Sequence, residues 1–139
     1  MDSALLLLFA SVLIIAALLY AVIAITKRGA MQLDVDKYRR RWMEIEHKFD
    51  RNNPATYPLA VIFADKLVDA ALREKGFTGE TMGHRMKKAT STWSNANAIW
   101  SAHKLRNRLA HEADAEASYE EARKALASFK QALKDLGAI

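Results

Sequence analysis

From Ser3 to Thr26 the chain carries no charged residue, reading SALLLLFASVLIIAALLYAVIAIT. At about 1.5 Å per residue, a helix of that length spans the roughly 30 Å hydrocarbon core of a bilayer. Inside lipid a helix satisfies its own backbone polar groups, so the segment is expected to cross once. A cleaved leader is the rival reading, and it wants a basic start and a shorter apolar core. Here the start is Met1-Asp2-Ser3, and only Ala21 and Ala24 offer a cleavage site. The expected organisation is an anchor over residues 1–26, a linker over 27–33 too short to reach far from the membrane, and a helical domain over 34–139.

Beyond the linker the apolar spacing is helical throughout, and no strand alternation is present. Val35, Tyr38, Trp42, Ile45 and Phe49 form a narrow seam, with Asp34 and Asp36 at its start and Asn52-Asn53-Pro54 at its end. A central helix is predicted from about Thr56 to Lys75. Its apolar residues, Leu59, Ile62 and Phe63 among them, leave little polar surface, and Gly76 caps it with Phe77 beyond. A short basic helix with Met82 and Met86 facing in, about Gly79 to Ala89, leads through a joint carrying Trp93. Next comes a helix from about Ser94 to Ala110, with Ala98, Ala102, Leu105 and Leu109 as its core stripe. The last runs from about Tyr119 to Leu136. Ser118 and Glu121 form its capping box, Ala122, Leu126, Phe129, Leu133 and Leu136 its seam, and Gly137 its cap. The fold expected is all-α: one transmembrane helix, then an up-and-down bundle of four to five helices.

Charge adds a direction. The chain is +5, and Asp2 is the only charge before residue 27, so the remainder is +6. Lys27 and Arg28 follow the apolar run at once, and Arg39, Arg40 and Arg41 come soon after, whereas no Lys or Arg precedes it. By the positive-inside rule the N-terminus lies outside and the domain in the cytoplasm, with these five cations near the inner membrane surface. The absence of cysteine fits a reducing compartment. Such a basic domain suits anionic lipid or nucleic acid. Four scattered histidines lack metal-ligand spacing, and GFTGETMG lacks the lysine of a phosphate loop, so neither metal nor cofactor is expected.

The stretch HKLRNRLAHE, residues 103–112, concentrates the remaining chemistry. On a helical wheel Trp100, Lys104, Asn107 and His111 fall opposite the expected core stripe, and Arg106 lies between the two faces. An outward Trp among polar groups has the composition of an interface. The order Arg106-Asn107-Arg108-Leu109-Ala110-His111 resembles the signature of the HEPN domain superfamily, an Arg, usually a polar residue, then a His four to six positions on, in an all-α bundle. Many members are metal-independent endoribonucleases acting as dimers. The resemblance covers residues 33–137. It implies that His111 is the general acid/base, that Arg106 holds the scissile phosphate and that Asn107 orients it. Trp100 and Asn107 would lie at a two-fold interface, and Lys104 and Arg108 would add phosphate affinity. The pattern departs at Ala113, where toxin members often have Tyr. The same residues also allow a structural role. Arg106 could pair with Asp65 or Asp69, and His111 could cap its helix, leaving a membrane-tethered dimerisation or assembly module.

Overall fold

The computed structural model describes residues 2–28 and 32–139, without the side chains of residues 26–28. Among them every regular element is helical: α1 (Ser3–Arg28), α2 (Val35–Lys48), α3 (Thr56–Glu74), α4 (Met82–Lys88), a 3₁₀ turn at Thr90–Thr92, α5 (Ala96–His111) and α6 (Tyr119–Asp135). The chain divides into two compact units, residues 1–32 and 33–139.

In the first unit no residue of Ser3–Ile25 is buried, and that stretch is long and apolar enough to cross a membrane. The linker expected over 27–33 is shorter than its composition suggested. Lys27 and Arg28 continue α1, and Leu33 is buried in the domain core. Residues 29–31 of that linker, and the side chains of Lys27 and Arg28, lie outside what is described.

In the second unit α3 is the hub, packing against α2, α4, α5 and α6. Local chemistry sets the ends of the helices. The Asp34 carboxylate accepts from Lys37 N–H, Asn95 from Ala98 N–H, and both halves of the Ser118–Glu121 capping box are made. α2 stops at Lys48, ahead of the Asn52-Asn53-Pro54 stop predicted for it, and Phe49 stacks on Tyr119. At the end of α3, Phe77 N–H donates to Leu72 O and Gly76 N–H to Arg73 O, with Gly76 at φ +92°. A Cβ there meets nothing within 4 Å. Gly76→Ala is therefore expected to destabilise the domain by about 1–2 kcal/mol through backbone strain alone, read as a lower denaturant midpoint.

The predicted α6 seam is buried throughout (Ala122, Leu126, Phe129, Leu133 and Leu136), whereas in the α2 seam Tyr38, Trp42 and Ile45 are buried and Val35 and Phe49, at its two ends, are half-buried. Met82, Met86 and Trp93 are also buried, the Trp93 indole donating to Met86 O. Two expectations need correction. The central helix is not covered all round, since Leu59 is 56% and Phe63 46% exposed. The deepest residues of α5 are Ile99, Ala102 and His103, while Ala98, Leu105 and Leu109 are only half-buried. The reason is that α5 packs on both α3 and α6, so its buried arc is wider than one stripe.

Two surface carboxylates give the domain an acid dependence. A hydrogen bond from Lys37 holds Glu74 below the ordinary glutamate range, and the Ser118 N–H does the same for Glu121. A group depressed in the folded state contributes stability above its unfolded pKa and loses it as pH falls. Stability should thus decline on acidification through and below the ordinary glutamate range. Both carboxylates are well exposed, so the effect is modest. Unfolding curves of Glu74→Gln and Glu121→Gln should show a flatter decline.

Candidate functional site

An aspartate in the middle of an apolar helix sets the site. Asp65 shares the α3 stripe of Val61, Val68 and Leu72 and is 1% exposed. A buried carboxylate needs partners, and α5 supplies them. His103 Nδ1 lies 2.7 Å from Asp65 Oδ1, and Arg106 Nε lies 3.1 Å from Asp65 Oδ2. The Arg106 Nε–H is not aligned for a directed hydrogen bond, so that pair is held by charge. Arg106 Nη1 donates to Asn107 Oδ1 at 2.8 Å, and Asn107 Nδ2 lies 3.4 Å from His103 Nε2.

The four side chains therefore close a circuit: Asp65, His103, Asn107, Arg106 and back to Asp65. One hydrogen arrangement satisfies it. His103 donates from Nδ1 to the carboxylate and accepts at Nε2 from the Asn107 amide, whose oxygen accepts a hydrogen bond from Arg106 Nη1. The circuit fixes two rotamers of the motif. It leaves the Arg106 side chain 24% exposed and Asn107 half-buried.

The other motif residues stand apart from it. His111 is the last residue of α5 and is exposed. It does not cap the helix, because the terminal turn closes through Glu112 N–H to Arg108 O. Lys104 and Arg108 line a groove of about 570 Å³ between α5 and α6, with Lys124, Asn97, Ser101 and Ser128. Arg108 also pairs with Glu121 at 3.3 Å. Trp100 is half-buried rather than outward. Its ring lies 3.7 Å from where a Cβ on Gly83 of α4 would stand, and it meets the His103 ring edge-on. Arg39, Arg40 and Arg41 are exposed on α2. Of the two aspartates considered for Arg106, Asp65 is the partner. Asp69 takes Arg85 and Arg73 instead, Arg85 bidentately at 2.7 and 3.0 Å.

His103 was missed as a site member, and Asp65 was foreseen only as one of two structural partners for Arg106, though an aspartate in register with Val61, Val68 and Leu72 was a signal for a buried cationic partner. Among the described residues no group of three His, Asp or Glu is placed to share a metal ion. Chemically the arrangement offers a fixed, partly open guanidinium, an open imidazole one turn beyond Asn107, and a row of cations. Comparison of the chain with family models, curated proteins and solved structures finds no match.

Proposed function

We propose that the chain is a single-pass membrane protein with an HEPN-like helical domain on the cytoplasmic face, its N-terminus outside. The domain would dimerise, bind RNA and cleave it without a metal. The observation that carries this is the circuit around Asp65. It holds Arg106 and Asn107 in fixed poses on α5, the helix that also carries the exposed Lys104, Arg108 and His111.

In this reading Lys104, Arg108 and Lys124 gather the RNA backbone along the α5–α6 groove. Arg106 faces the scissile phosphate and stabilises the charge that builds on it. His111 moves the proton as the 2′-oxygen attacks phosphorus and the P–O5′ bond breaks, leaving a 2′,3′-cyclic phosphate and a 5′-hydroxyl. A second copy across a two-fold axis completes the site through Trp100 and Asn107.

The groove is tested by binding. Full-length protein in mild detergent is titrated with fluorescent single-stranded RNA over a range of salt. Lys104→Ala with Lys124→Ala should weaken binding and flatten the salt slope by about one to two phosphate contacts. Unchanged affinity and slope would remove the groove from the account.

A second reading has its own support. All four circuit members are partnered within it, and Asp65 already opposes the Arg106 charge. His111 is followed by Glu112, Asp114 and Glu116, whose carboxylates repel phosphate. In this reading the circuit is a brace and the domain a membrane-tethered assembly module. Trp100→Ala then weakens self-association, and no RNA is bound.

A further inference from the structure

The α2–α3 side of the domain carries a surface that neither the motif nor the circuit uses. A groove of about 380 Å³ runs between the two helices, floored by Ile45, Ala60 and Leu67. Leu59 and Phe63, one turn apart on α3, line it and are 56% and 46% exposed. Lining residues Arg41, Lys48 and Lys66 face one carboxylate, Glu44, a balance of 3 − 1 = +2. None of the three cations makes an ion pair within 4.0 Å among the described residues, although Arg41 also feels the Glu74 charge, whereas Lys37 and Lys130 each hold a glutamate at 2.8 Å.

We infer that this face docks on the anionic surface of the bilayer in which α1 is anchored. The inference rests on the membrane reading above. Leu59 and Phe63 would enter the boundary between headgroups and acyl chains, and Arg41, Lys48 and Lys66 would meet lipid phosphates while their stems cover apolar surface. Two observations select lipid over other occupants. Only residues 29–32 separate α1 from the buried Leu33 in sequence, so an inserted α1 keeps the domain at the bilayer surface. The charge also selects against a second copy, since two-fold pairing of this face would set its three cations against the same three.

The chain has no cysteine, so single-cysteine labelling is clean. Full-length Leu59→Cys, Leu13→Cys and Ala127→Cys proteins would each carry a polarity-sensitive fluorophore. Vesicles would be phosphatidylcholine alone or an equal mixture with phosphatidylglycerol. The label at 59 should shift to the blue and be quenched by brominated lipid in the mixed vesicles only. The label at 127, on the exposed side of α6, should stay in water in both. Adding Arg41→Glu, Lys48→Glu and Lys66→Glu should abolish the shift at 59 without changing helical content.

A label at 59 in water, with the label at 13 in lipid, overturns docking and leaves the anchor standing. A label at 13 in water overturns the membrane reading and docking with it. A shift at 59 equal in both lipids overturns the charge argument. Self-quenching at 59 without quenching by brominated lipid makes the face a contact between copies.

Discussion

Asp65→Ala is expected to destabilise the domain by about 3–5 kcal/mol, because it strips the counter-charge from a buried pair and leaves its partners uncompensated. His103, 8% exposed, loses the acceptor at its Nδ1, and Arg106 loses its anion. The measurement is urea unfolding of the full chain in mild detergent, followed by tryptophan fluorescence. All three tryptophans, Trp42, Trp93 and Trp100, lie in the domain, so the signal reports it alone. The triple variant Asp65→Leu, His103→Leu, Arg106→Met should recover much of the loss, since an apolar replacement of similar volume removes the desolvated charges together. A loss of less than about 1 kcal/mol for Asp65→Ala, the range of ordinary surface substitutions, would mean that the circuit carries little stability.

His111→Ala is the opposite kind of change. The side chain is exposed at the end of α5 and takes no part in the circuit, so its removal should leave the unfolding midpoint where it was. In the proposed reaction it handles the proton at the 2′-hydroxyl or at the leaving oxygen. Loss of a positioned acid or base typically lowers a rate about 10²–10⁴-fold, and that drop in single-turnover RNA cleavage is expected here. The two substitutions separate the two halves of the motif. In the proposed reaction Arg106 and Asn107 would serve stability and chemistry together, so their variants should lose both, whereas His111 would report on chemistry alone.

The seams of α2 and α6 were legible in the sequence because each of these helices buries one narrow stripe, and spacings of three and four mark it. The caps were legible because Ser118 with Glu121, Gly76 and Gly137 act within one turn of their own positions. α5 was harder to read. It packs on two neighbours, so its buried arc is wide, and a polar residue, His103, stands within it. Counting apolar residues alone rolls that helix toward Ala98 and Leu105 and turns Trp100 outward. The open stripe at Leu59 and Phe63 was hidden for a related reason. An apolar position on a hub helix reads as core whether or not a neighbour covers it. The link between Asp65 and the motif joins residues 38 and 41 positions apart, and no local pattern encodes it.

The most direct measurement of the central claim is RNA cleavage by the full chain in mild detergent with EDTA present, beside the His111→Ala protein. End-labelled single-stranded RNAs of varied sequence would be the substrates, and the products would be sized and their ends identified. The account predicts fragments with 2′,3′-cyclic phosphate ends from the parent and almost none from the variant. Intact RNA from a folded parent, or equal cleavage by both proteins, would contradict it.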